Sequence, residues 1–213
     1  GVKVLFEDEH IIVVNKQAGL LSVSTDKMEP DTLHSRVVDY LKSENEKSWA
    51  FIVHRLDRET SGVMIFAKHK RHKEYLQEQF ANRDVHRVYH ALVEGKPDKE
   101  NGTVREWLLE DKFLKVKAVK KNHPKAKEAI THYSVVDFDE FASLIQLTIE
   151  TGRRHQIRVG LANLGCPVVG DEAHGAEGNP IGRIALHASS LEFLHPETDD
   201  PVRFEAPIPF GPE

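Results

Sequence analysis

Apolar positions fall into short runs separated by charged turns, and their period changes from segment to segment. Residues 3–23, KVLFEDEHIIVVNKQAGLLSV, read as two short strands around an acidic turn. Within them IIVVN is an unbroken apolar run, suited to a strand buried on both faces. Leu33, Val37 and Leu41 recur at i, i+4 and i+8, which predicts a helix over 32–42 with Asp31 or Thr32 as its N-cap. AFIVHRL (50–56) and GVMIFAK (62–68) predict two apolar strands, with HRLDRETSG (54–62) in the connection. KRHKEYLQEQFAN (70–82) predicts a helix with His72, Leu76 and Phe80 along one edge. RVYHALVEG (87–95) alternates, with Val88, His90 and Leu92 on one side and Arg87, Tyr89, Ala91 and Val93 on the other.

Residues 103–136 predict several short strands and a Lys-rich loop at Pro124. SLIQLTIETG (143–152) predicts a strand with Ile145, Leu147 and Ile149 on one face. RRHQIRVGLANLG (153–165) predicts a helix with Ile157, Leu161 and Leu164 inward and Gly165 as C-cap. RIALHASSLEF and VRFEAPIP predict two closing strands with a turn at HPETDDP. Strands outnumber helices without strict alternation. The expected class is α+β with a mixed, mainly antiparallel sheet rather than a doubly wound nucleotide fold. No linker divides the chain, so one domain over 1–213 is expected.

Composition narrows the class. Apolar residues make up 39% and charged residues 30% of 213, which suits a globular chain with a real core. No apolar run approaches the ~20 residues of a membrane span, and no signal-like segment opens the chain. Cys166 is the only cysteine, which removes internal disulfides and leans towards a cytoplasmic setting. With 29 basic and 34 acidic residues the net charge is −5, which argues against a generic, charge-driven nucleic-acid binder. The charges are nonetheless segregated: KHKRHK (68–73), KVKAVKKNHPKAK (115–127) and RRHQIR (153–158) are basic, while EDE, DFDE and ETDD are acidic. Taken singly these are solvated faces; taken together they allow one basic side.

The chemistry is narrowed first by absence. No phosphate-binding loop, dinucleotide fingerprint or nucleophile elbow is present. Thirteen histidines include no zinc-type spacing, and His69 and His72 lie in a lysine-rich stretch, so no metal is expected. Asp57 is flanked by Arg55 and Arg58, which favours its ionised form. An ionised Asp serves as nucleophile or base; a turn aspartate with ordinary ion pairs has the same sequence. TGRRHQIR places Arg154 and Arg158 at i and i+4 near a helix start, where an anion is favoured, either a phosphate or a protein carboxylate such as Asp57. Tyr89 offers either packing or a platform for a flat base.

Five stretches in order resemble the RluA family of pseudouridine synthases: NKQAGLLS (15–22), HRLDRETSG (54–62), RVYHALVEG (87–95), TGRRHQIRVGLANLGCPVVGD (151–171) and RIALHASSLEFLHP (183–196). The resemblance implies isomerisation of uridine in structured RNA, ribosomal or transfer, by cleavage of C1′–N1 and formation of C1′–C5. It implies Asp57 as the essential aspartate, Arg158 as the basic residue paired with it and Tyr89 as the aromatic stacked on the base. It further implies RNA or substrate binding by Arg55, Arg58, Thr60, Arg154, His155, Gln156 and Leu186, and no cofactor or metal. A cytoplasmic monomer is expected, without membrane association.

Three departures stand out. Gln17 replaces a usual proline. Gly160 replaces a usual histidine. No S4-like RNA-binding domain is expected within 1–213. The alternative reading is an RNA-binding or chaperone-like module without turnover, which has no use for Asp57, Tyr89 and Arg158 together.

Overall fold

The structure is a computed structural model and describes residues 1–211; the last two residues of the expected 1–213 domain lie outside it. Packing divides the chain into two compact units. The first comprises Gly1–Arg87 and Ala188–Pro207, the second Val88–His187 and the segment from Ile208.

In the first unit, strands β1 (Val4–Glu7), β2 (Ile11–Lys16), β3 (Phe51–Ile52), β4 (Ser61–Ala67), β10 (Leu186–Leu194) and β11 (Pro201–Glu205) accompany two helices. β1 pairs with β2, β2 with β4, β3 with β4 and β10 with β11, all antiparallel. The IIVVN run behaves as expected: Ile11, Ile12, Val13 and Val14 are all buried. Ile11 and Val13 enter one core with Val53, Val63, Ile65, Leu76, Leu191 and Phe193.

Helix α1 (Leu33–Glu44) buries the expected stripe, and Thr32 is the N-cap. Its hydroxyl accepts from the Ser35 N–H while the Ser35 hydroxyl takes the Thr32 N–H, a reciprocal cap. Helix α2 (Lys70–Ala81) buries His72 and Leu76.

The second unit holds an antiparallel sheet of β5 (His86–Glu94), β6 (Asn101–Glu110), β7 (Val116–Val119), β8 (Lys127–Phe138) and β9 (Ala142–Ile149), in spatial order β5-β9-β8-β6-β7. Of the strands in this region, β6 and β8 run for 10 and 12 residues rather than being short, while β7 is short, with 4. Charged and small residues face solvent at alternate positions of β6, so one apolar face suffices to hold ten residues in the ladder.

Helix α3 (Gln156–Asn163) lies between two clusters. Ile157 and Leu161 pack with Ala91, Ile145, Leu147 and Leu186, and Val159 packs with Leu108, Val116 and Ala129. The helix starts later than the sequence predicts, because His155 adopts φ 56°, in the left-handed region, and breaks the pattern before it. Leu164, expected inward, is the C-cap and is exposed. The result is an α+β fold, as expected, with three α-helices among the described residues.

Candidate active site

In the first unit, HRLDRETSG forms the loop between β3 and β4 with the first residues of β4. Val53, Leu56 and Thr60 point inward and are buried, Arg55 and Arg58 are exposed, and Asp57 is half-buried. These buried residues, three and four positions apart, anchor the loop and leave Arg55 and Arg58 between them facing out. The Thr60 N–H donates to the Asp57 carbonyl at 3.1 Å and closes the turn. Leu56 is held at both backbone groups by the Ser22 hydroxyl, whose oxygen accepts from its N–H at 3.0 Å and whose proton goes to its carbonyl.

Lys16 does most to fix this loop. Its side chain is buried, and its ammonium donates to the carbonyls of Leu20 at 2.6 Å, Gln17 at 2.9 Å and Arg58 at 3.0 Å. A buried ammonium is tolerated only with such partners. The Gly19 N–H reaches the same Arg58 carbonyl at 2.8 Å. NKQAGLLS is therefore the cradle of the Asp57 loop, a role the motif signals but residue-by-residue reading misses.

The flanking arginines do not clamp Asp57: both are exposed, and among the described residues of this unit no ion pair holds its carboxylate. Fixed at its backbone and not tied at its side chain, Asp57 keeps its oxygens available. Ser61 and Gly62 lie just past the turn. They begin β4, and Gly62 (φ +122°) is where the backbone of β10 comes close: a Cβ there would stand 2.1 Å from the Ala188 carbonyl oxygen.

His54, which opens the motif, is enclosed against Phe80, with ring centroids 4.7 Å apart, and its Nε2 accepts the Ile65 N–H at 3.1 Å. Burial, aided by the charge of Arg87, pushes its pKa down to about 3, so the imidazole stays neutral.

In the second unit, Arg158 projects from the first turn of α3 and is buried. Its Nε and Nη2 donate to the two oxygens of Asp171 at 2.8 and 2.7 Å, a bidentate pair whose acid is fully buried. Within its own unit the acid at the Arg158 guanidinium is Asp171. Gly170 makes this possible. It adopts φ +86° with the Arg183 carbonyl oxygen 2.1 Å from where a Cβ would sit, a turn that only glycine makes. The signal was present in VVGD, the end of the third motif.

The Nη1 of Arg158 lies 3.0 Å from His155 Nε2, and His155 Nδ1 lies 3.2 Å from His174 Nε2. Arginine only donates, so His155 Nε2 accepts and its proton sits on Nδ1, directed at His174. Burial, joined by the charge of Arg158, holds the His174 pKa below its usual value against the pull of Asp171. Asp171, Arg158, His155 and His174 thus form one directed chain of hydrogen bonds.

Gln156, expected to bind RNA, is buried and fully engaged within its unit. Its amide nitrogen donates to the Ile130 carbonyl at 3.0 Å and the Thr131 hydroxyl at 2.9 Å, and its oxygen accepts from the Thr151 hydroxyl at 2.7 Å and the Arg153 N–H at 3.1 Å. It positions the turn that leads into α3. Arg154 and Arg158 do not share a helix face: Arg154 lies before the helix, exposed, 3.7 Å from Glu110. Tyr89, half-buried on β5 opposite Leu147, packs against the cluster that contains Leu186 and Ile157. Leu186 is buried and starts β10.

Thus Arg55, Asp57, Arg58 and Thr60 share one loop of the first unit. Tyr89, Leu186, Arg154, His155 and Arg158 belong to the second.

A family model described as RNA pseudouridylate synthase matches residues 10–163. The chain is 36% identical over 215 residues to the dual-specificity RNA pseudouridine synthase RluA of Vibrio cholerae serotype O1, covering 100% of this chain and 85% of that protein. It is 36% identical over 223 residues to the ribosomal large subunit pseudouridine synthase D of Xanthomonas campestris pv. campestris, covering 98% of this chain and 66% of that protein. In fold it is similar to human RNA pseudouridylate synthase domain containing 4, with a TM-score of 0.81 at 24% identity, covering 97% of this chain and 88% of that structure.

Proposed function

The chain belongs to the RNA pseudouridylate synthase family, and from that premise we propose that it converts specific uridines of a structured RNA to pseudouridine with Asp57 as its essential acid. The observation that carries this is the family match over residues 10–163, which encloses Asp57, Tyr89 and Arg158 in order. The Asp57 loop supports it, since the backbone there is secured by Lys16, Gly19 and Ser22 while the carboxylate oxygens stay available.

A uridine stacked in a helix is out of reach, so it must turn out of the stack at a cost of a few kcal/mol. In this proposal exposed Arg55 fills the gap left behind, and exposed Arg58 and Arg154 meet phosphates. Tyr89 stacks on the uracil and Leu186 lines its pocket. Arg158 is already neutralised by Asp171, so it acts as a fixed donor rather than a free charge. Thr60, Gln156 and His155 position these groups. The two units serve one catalytic domain.

The substrate is large-subunit ribosomal RNA first, with transfer RNA second, in keeping with the names of the relatives. Among the described residues no helix is long and apolar enough to cross a membrane, and the proposed setting is the cytoplasm, where the protein works as a monomer. The test is to map pseudouridines across unmodified ribosomal and transfer RNA, with and without the protein. New pseudouridine at one or a few large-subunit positions is expected; no new pseudouridine in either RNA would overturn the proposal.

A further inference from the structure

Three segments distant in sequence converge in the first unit. The turn before β2 brings His10, the first turn of α2 brings His72, and the turn between β10 and β11 brings Glu197. His10 Nδ1 lies 3.1 Å from His72 Nε2, and Glu197 Oε2 lies 3.4 Å from His72 Nε2 and 3.9 Å from His10 Nδ1. Two ligands held at ~2.0–2.1 Å by a tetrahedral ion sit ~3.3 Å apart. We propose that His10, His72 and Glu197 bind a divalent transition-metal cation, zinc foremost, with water in the fourth position.

The surroundings fit a prepared site. His195 accepts the Glu197 N–H at its Nδ1 (3.1 Å), so its proton is on Nε2, which donates to Asp8 Oδ2 at 2.7 Å. Asp8 Oδ1 in turn accepts the N–H groups of His10 at 2.7 Å and Ile11 at 2.8 Å. One carboxylate therefore fixes both the turn that carries His10 and the turn that carries Glu197, as supporting groups do around metal ligands. His72 is buried and Glu197 is exposed, which leaves the open position towards solvent.

Three features oppose a cation: the positive end of α2, Lys70 and Lys73 on the same helix, and exposed Arg71, whose Nη2 lies 3.4 Å from Glu197 Oε2. An exposed pair of this kind is weak and yields readily, and the carboxylates of Glu197 and Asp8 offset the helix. A bound ion would tie β2, α2 and the β10–β11 turn together. Two imidazoles and one carboxylate suit zinc over magnesium or calcium, which take oxygen ligands.

The test uses the purified full chain stripped of metal. Zinc binding is measured by equilibrium dialysis, and cobalt(II) supplies a visible absorption diagnostic of tetrahedral coordination. One zinc per chain is expected, with a higher melting temperature. Glu197→Gln and His10→Ala should each weaken binding by more than the ~10-fold that losing a supporting hydrogen bond costs, while His123→Ala should bind as the wild type does. Circular dichroism confirms that the variants are folded; Glu197→Gln changes an exposed side chain and keeps the test alive should His10→Ala unfold. Absence of bound zinc in the wild type, or wild-type affinity in Glu197→Gln, would overturn the proposal.

Discussion

A buried ammonium, a bidentate arginine pair and a neutral histidine do the positioning in this molecule, and none of them is the residue that draws the eye in the sequence. Asp57 stands out in the sequence because its motif is dense in charge. Asp171 was not, because its role depends on a turn at Gly170 that brings it back to Arg158. Lys16 reads as one lysine among many until three carbonyls are found around it. Gln156 misled for the opposite reason: a polar residue in a motif suggests a ligand contact, whereas its amide is fully committed within its unit.

His54 carries a pH prediction. Its folded pKa of about 3 lies below the ordinary 6.5, so the unfolded state binds the extra proton between those values. The stability it contributes is intact above pH 6.5 and is lost as pH falls towards 3, at up to about 1.4 kcal/mol per pH unit. His54→Gln, which retains an acceptor for the Ile65 N–H, should flatten that loss in urea unfolding curves. Equal acid sensitivity in variant and wild type would contradict the assignment.

At the scale of elements, periodicity located α1, α2, β2, β4, β5 and β9 because each has one buried stripe or run. It failed where one residue or one face decides. The left-handed His155 delays α3, and a single apolar face lengthens β6 and β8 beyond what their charged alternate positions suggest. Gly160 sits inside α3, where a Cβ would meet Glu106 Oε1 and a Val104 methyl at 3.5 Å, an ordinary contact. The helix therefore has room for a methyl group and bears the conformational cost of glycine without a steric reason. Gly160→Ala should raise stability by about 0.5–1 kcal/mol, read as a higher urea midpoint. A lower midpoint would contradict this reading of the space around Gly160.

For the whole molecule, sequence reading expected one domain because no linker interrupts the chain. The division into two units escapes such a reading, because residues 188–207 return to the first unit after a hundred residues in the second. The cluster of His10, His72 and Glu197 escaped it for the same reason, since no spacing rule spans 187 positions. The central claim is that the loop cradled by Lys16 presents the acid on which turnover depends. Pseudouridine formed per chain by Asp57→Asn, beside wild type on the same ribosomal RNA, tests it most directly. The account predicts none above background with RNA binding retained; formation at the wild-type rate would contradict it.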